Sequence, residues 1–365
     1  MKVVFALLRW GPSLRAKRNN PGAAAAHAAT TARAAGKAFS FASLTPGLLR
    51  FARNDASRLA LSVLLLGSPA AADEAFIPNQ SGDDLSIIDL ASMKEAARLP
   101  LGGKPAGVAL SQDGAKAYVT SPEGHYVSVI DAAARKLEKR IAVSGAPLGV
   151  SVAPNGRRIY VADMYGRDLI EIDPQSEAMR RVEVGAAPAG ALATPDGRFV
   201  LVTVRDDNQL AIVDAASFTI AARVRVGEHP FGLTFEPASG RAFVSNVLSD
   251  DVSVVDVARQ RLVGAAKVGK HPYGVALAHG RGFAANQYAE SVSVFDGKSL
   301  APVSTIKAGD YPEGLCASRD GAVIYLTNWF SNELWAIDAE TYKVLGKAET
   351  GDGPRAFGDF VRPAP

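Results

Sequence analysis

A Pro-x-Gly-like junction recurs at Pro105, Pro147, Pro188, Pro230, Pro272, Pro312 and Pro354, at steps of 42, 41, 42, 42, 40 and 42 residues. A second marker, an Asp closing a short apolar run, keeps almost the same steps at Asp89, Asp131, Asp173, Asp214, Asp256, Asp296 and Asp338. Each such unit is too small to bury its own apolar surface, so it must stack on its neighbours. Within the second unit the pattern reads as four short strands: Gly149 to Ala153, Ile159 to Ala162, Leu169 to Asp173 and Arg181 to Val184. They are rich in Val and Ile and are separated by turns such as Pro154-Asn155-Gly156, an all-β signal. Four strands in about 42 residues is the period of a β-propeller blade.

The ends of the chain say how the ring closes. Three strands precede Pro105 (Ala75–Pro78, Leu85–Leu90 and Ala96–Leu101), and room for one, Ala356–Val361, follows Pro354. Six whole units and this divided one predict a seven-bladed propeller with four antiparallel strands per blade. The C-terminal strand would pair with the three N-terminal ones.

Several motifs carry a family likeness. Tyr118-Val119-Thr120-Ser121 after Asp113-Gly114, Tyr325-Leu326-Thr327-Asn328 after Asp320-Gly321, and Phe243-Val244-Ser245-Asn246 resemble the YVTN β-propeller repeat family, a WD40-like group. The likeness spans 73–365. This family is similar to the propellers of amine dehydrogenase heavy chains, of haem-binding nitrite reductase and of lactonases. One scaffold thus serves several activities, and the resemblance implies the fold without the function.

The N-terminal stretch is of a different kind. Residues 1–58 hold ten basic residues against one acid, Asp55, and a short apolar run follows at 59–66. Then come Gly67-Ser68-Pro69-Ala70-Ala71-Ala72 and Asp73. A basic flank, an apolar core of roughly 7–15 residues and a small-residue site describe a secretory signal peptide, with cleavage expected after Ala72. The leader is long for that role, and residues 1–55 read as an upstream extension of the reading frame. The whole chain carries a formal +3, but residues beyond 72 hold 30 basic and 36 acidic side chains, a net of −6. That sign argues against a nucleic-acid partner. The expectation is a periplasmic monomer without a membrane span in its mature form.

The single Cys excludes disulfide frameworks, CxxC sites and CxxCH haem attachment. Cys316 falls in an inner strand and reads as a small buried hydrophobe. GxSxG, HExxH and P-loop motifs are missing. The seven Asp markers sit where Asp bonds its own turn, and Asn79, Asn246, Asn286 and Asn328, ten residues before a marker, read as turn chemistry too.

The Pro junctions break the symmetry. Lys104-Pro105-Ala106, Ala146-Pro147-Leu148 and Ala187-Pro188-Ala189 are modest, but the next four are His229-Pro230-Phe231, His271-Pro272-Tyr273, Tyr311-Pro312-Glu313 and Gly353-Pro354-Arg355. If Pro-x-Gly starts the innermost strand, the loops after the second strands share that face and add Asn286, Tyr288, Asn328, Trp329 and Phe330. Aromatic walls with a few polar groups describe a ligand or partner site, or else a plug in the channel mouth. Candidate binding residues are therefore His229, Phe231, His271, Tyr273, Asn286, Tyr288, Tyr311, Glu313, Trp329 and Arg355. His125, His229 and His271 are the imidazoles that could meet a metal, but no Cys, Met or carboxylate stands at ligand spacing, and neither metal nor cofactor is expected. The reading is a non-enzymatic scaffold for a periplasmic protein or small ligand. The alternative is a subunit of an amine-dehydrogenase-like redox system, or a lactonase-type hydrolase using Glu313, His271 and Arg355.

Overall fold

The computed structural model describes residues 73–363; the expected leader, apolar core and cleavage site lie outside them. The described residues form 28 strands in seven four-stranded antiparallel sheets, the seven blades expected from the repeat. Blades 1 to 6 are continuous in sequence and begin near the first six Pro junctions. Blade 7 joins Glu74–Asn79, Asp84–Asp89 and Lys94–Pro100 to Val361–Arg362. Among the described residues the one helical element is a 3-10 turn over Gln287–Ala289. Among the described residues no helix is long and apolar enough to cross a membrane.

Second and third strands of each blade read as near-continuous apolar runs because both faces are covered by neighbouring blades. Phe199–Val204 and Asp251–Asp256 are buried throughout, whereas the outer strand Lys136–Ala142 alternates toward solvent. The core therefore lies between blades, where rings from adjacent sheets meet: Phe243 on Phe295 at 6.3 Å, Tyr160 beside Phe218 at 6.3 Å and Phe283 against Tyr342 at 6.2 Å. Burying one such ring contributes on the order of 1.5–3 kcal/mol.

Turn chemistry holds the blade ends as expected. Each marker Asp accepts a hydrogen bond from the backbone two or three residues on: Ser92, Ala134, Gln175, Ser217, Arg259, Ser299 and Thr341 donate at 2.6–2.9 Å. The Asn residues act across strands as well as in turns. Asn79, Asn246 and Asn286 are fully buried, and each Nδ2 donates to a serine on the third strand, Ser86, Ser253 or Ser293, at 2.8–2.9 Å.

The closing strand is shorter than the sequence suggests. Only Val361–Arg362 pairs as a strand with Glu74–Asn79. Ahead of it the chain leaves the sheet. Phe76 N–H bonds the Phe360 carbonyl, Arg355 N–H bonds the Pro78 carbonyl, and Phe357 bridges in parallel to Gly107 of the first full repeat. The reason is steric: Gly358, with φ of 116°, lies where a Cβ would meet the Val108 carbonyl. That turn sends Phe357 into the channel mouth.

Candidate functional site

Five of the six full blades open their inner strand with a bulge. In blades 2 to 6 the pairing register shifts just after the proline, as between Pro230 and Leu233 or Pro312 and Leu315. A bulge re-aims the side chains around it, and here it fixes where the glycine of Pro-x-Gly goes. A Cβ on Gly107, Gly149, Gly190, Gly232 or Gly274 would come within 3 Å of the next blade's backbone, at the carbonyl of Leu148, Ala189, Phe231, Tyr273 or Glu313. Glycine is present because neighbouring inner strands touch there. Thr120 and Thr203 complete the contact. Each hydroxyl accepts from the glycine N–H of its own blade, at 2.9 and 2.7 Å, and donates to the next blade's carbonyl, at 2.6 and 2.7 Å.

The residue after each proline turns inward. Ala106, Leu148, Ala189 and Phe231 join Val247, Phe357, Met164 and Tyr273 in one apolar cluster across the mouth. Phe231 packs 4.9 Å from both Tyr273 and Phe357, and Tyr273 stacks on Phe357 at 6.4 Å. Burial, then the Glu313 carboxylate, pushes the Tyr273 phenol up to about 12, so it is no base at neutral pH. Phe231 and Tyr273 thus pack against each other and against Phe357 at the mouth.

Glu313 and Arg355 occupy the same inward position in blades 6 and 7 and meet as an ion pair. Arg355 Nε donates to Oε2 at 2.8 Å and Nη2 to Oε1 at 3.3 Å; Gln287 Nε2 donates to Oε1 at 2.5 Å. Arg355 Nη1 reaches Gln80 at 2.9 Å, and its guanidinium lies 5.0 Å from the Trp329 ring and 4.9 Å from Phe357. Glu313 is fully buried and Arg355 is 5% exposed. Burial pushes the Glu313 carboxyl up, and Arg355 and Gln287 pull it back. The two side chains that the hydrolase alternative would use are thus paired with each other.

At His271 and Tyr311, in blades 5 and 6, the residue before the proline turns away from the apolar cluster. His271, in the left-handed region at φ 54°, stacks on Tyr288 at 4.0 Å, and Tyr288 meets Tyr311, at φ 56°, edge-on at 5.5 Å. Tyr311 meets Phe330 at 4.4 Å, and Phe330 stacks on Trp329 at 5.1 Å. Five rings thus form one ridge across blades 5 and 6, and its crests, Tyr288 and Phe330, are 58% and 60% exposed. The positive φ is held from the preceding loop: Asp250 Oδ1 accepts the His271 N–H at 3.0 Å, and Asn208 Oδ1 accepts the His229 N–H at 2.9 Å.

Other expected residues lie elsewhere. Asn286 is committed to Ser291 and Ser293 beneath the surface. His229 makes no ring contact among the described residues; burial, then Arg205, holds its imidazole below the ordinary range. His125 occupies the loop position of Asp83 and Asp250, and its Nδ1 faces the Gly145 carbonyl at 2.5 Å. No three His, Cys, Asp or Glu side chains converge on a metal-sized site among the described residues. Gln80, Gln287 and Phe357 are the participants that sequence reading missed. On the opposite face a cleft of about 800 Å³ lies between blades 2 and 3, but its Arg158 and Arg180 are paired with Asp173 and Glu171.

The solved structures that this chain resembles agree with the architecture. Kuenenia stuttgartiensis hydrazine synthase superimposes with a TM-score of 0.65 at 20% identity, over 73% of this chain and 92% of that one. A functionally unknown protein from Desulfotomaculum acetoxidans superimposes with a TM-score of 0.67 at 14% identity, over 78% and 99%. At these identities the likeness concerns the fold alone. No protein-family model matches the chain, and no curated protein matches it.

Proposed function

We propose that this propeller is a non-enzymatic scaffold, exported to the periplasm and akin to the YVTN repeat proteins, that docks a protein partner on the ridge His271–Tyr288–Tyr311–Phe330–Trp329. The observation that carries the reading is the division of labour at the mouth. The inward residues fill the channel with apolar rings and a self-satisfied ion pair, and the outward residues leave large aromatics in water. Exposed aromatics that cluster at one place favour a macromolecular surface over an enclosed small ligand. Export is supported by the signal-like stretch at 59–72.

The test is site-specific photo-crosslinking in the native periplasmic fraction, with a benzophenone amino acid in place of Tyr288, of Phe330, or of Leu262 on the outer strand of blade 4 as a control. Discrete adducts from positions 288 and 330 alone are expected. No adducts, or the same adducts from position 262, would overturn the docking reading. N-terminal sequencing of the exported protein is expected to begin at Asp73.

A further inference from the structure

The ridge is also charged in one sense. Glu290 stands two residues beyond Tyr288, Asp310 directly precedes Tyr311, and Asp352 and Glu228 belong to the loops on either side. All four are exposed, and none makes an ion pair among the described residues. The cations that share the face are already neutralised: Lys270 bonds Asp250 at 2.5 Å, Lys104 bonds Asp83 at 2.6 Å, and Arg355 is held by Glu313. Lys307, exposed on the outer strand of blade 5 opposite Ser291, makes no ion pair among the described residues.

Glu290 also breaks a structural pattern. At its loop position blades 3, 4, 6 and 7 carry Asn208, Asp250, Asn332 and Asp83, and each side chain accepts the N–H at the next junction: His229, His271, Gly353 or Lys104, at 2.9–3.0 Å. In blade 5 the residue is Glu290, whose longer side chain makes no such bond to Tyr311. Its carboxylate makes no ion pair among the described residues and adds to the upward push on the Tyr311 phenol after burial and Tyr288. The clasp is missing in blades 1, 2 and 5, where His125, Arg167 and Glu290 stand, and of these loops the one in blade 5 carries a ridge crest, Tyr288.

We infer that the partner presents a basic, extended segment, whose lysine or arginine side chains lie over Tyr288, Tyr311 and Phe330 and pair with Glu290 and Asp310. Ring faces carry a negative quadrupole and attract ammonium and guanidinium groups, and carboxylates beside the rings add Coulomb attraction that steers a cationic chain onto the face. The molecule already uses this contact internally, with the Lys347 ammonium 3.8 Å from the Trp335 centroid and the Arg355 guanidinium 5.0 Å from Trp329. The inference rests on the ridge being a docking face.

Fluorescence anisotropy with labelled octapeptides of alternating Lys-Ala, Gln-Ala and Glu-Ala, added to the full-length protein, tests it. The basic peptide is expected to bind at least tenfold more tightly than the other two. That affinity should fall at least threefold in the double variant E290Q/D310N and again in Y288A/F330A. Glu349→Gln, on the outer strand of blade 6, should leave it unchanged. All these substitutions are at exposed positions, and unaltered thermal midpoints confirm folding. Equal binding of the three peptides, or basic-peptide binding that ignores the ridge variants, overturns the inference. Crosslinking at positions 288 and 330 without preference for the basic peptide would retain the docking face and refute its charge selectivity; failure of both would remove the face itself.

Discussion

Arg355, on the segment that closes the ring, and Glu313, 42 positions earlier at the start of the sixth inner strand, meet in a buried two-contact pair at 2.8 and 3.3 Å. The pair ties the closing segment to blade 6 as well as to blade 7, where only two residues pair as a strand. Removing one member of a buried pair strands the other, at a cost of about 3–5 kcal/mol. R355A should therefore lose about that much in urea unfolding, and E313Q, which keeps an acceptor oxygen, should lose less. The deficit of R355A has a pH signature. Burial already raises Glu313, and without Arg355 the folded state would hold its proton more strongly than the unfolded state. Stability of R355A relative to wild type should rise as pH falls from 8 to 5. A deficit that does not change with pH would contradict a stranded carboxylate.

Neighbouring inner strands touch through glycine, and this predicts which small substitutions are not small. Gly149→Ala and Gly232→Ala each place a methyl group within 3 Å of the next blade's carbonyl, at Ala189 or Tyr273. Overpacking of this kind costs roughly 1–3 kcal/mol, to be read from denaturant midpoints. Gly156→Ala and Gly240→Ala meet no atom within 4 Å, although both require positive φ, so any loss there reports backbone strain alone. If all four variants unfold alike, the close approach of the blades is not what selects glycine.

The repeat made the fold legible because two independent markers, Pro and Asp, each have one structural job. The prolines open the inner strands and the aspartates cap the hairpins, so their spacing counted blades and located the split one. The closing strand was less legible: Gly358 and Phe357 respond to the Val108 carbonyl and to Phe231 and Tyr273, which are remote in sequence. At the mouth the sequence reading gathered one arc of junctions but merged two populations within it. Residues after the proline, such as Phe231 and Glu313, go in, and residues before it, such as His271 and Tyr311, go out, because the bulge and the positive φ reverse direction within three positions. Phe330 and Tyr288 share one position in the repeat, and the same register also marks the exposed Tyr165 and Leu248. Nothing local distinguishes the committed Arg355 from a free one, since its partners Glu313 and Gln80 come from opposite ends of the chain.

The seven marker aspartates make the ring sensitive to acid in a defined window. Backbone N–H groups of the following turn hold six of the carboxyls below the usual range, and for Asp89 the Ser92 hydroxyl comes first. A carboxyl lowered in the folded state stabilises it above the unfolded value of about 3.9 and loses that contribution as pH falls through the folded value. Stability should therefore be flat in this respect near neutrality and decline below about pH 4. Carboxyl titration by NMR should show these seven side chains still ionised below the ordinary aspartate value of about 3.9. Titration at ordinary values would remove the capping hydrogen bonds from the account of acid unfolding.

Cys316 offers a probe of whether blades 6 and 7 stay joined. Its Sγ donates to Asp359 Oδ1 at 3.2 Å, across to the closing segment. Burial, then the Asp359 carboxylate, pushes the thiol well above its ordinary value. The thiolate is the nucleophile, so the folded protein should react with a thiol reagent such as DTNB far more slowly than a free cysteine at pH 8. Reaction requires Arg355–Phe360 to lift away from the sixth inner strand, and it should accelerate with urea before global unfolding if closure is the weakest seam of the ring. R355A should bring that acceleration to lower urea, whereas Gly149→Ala, on the far side of the ring, should shift only the global transition. Rapid labelling of the native protein at pH 8 would mean that the closing segment does not seal Cys316.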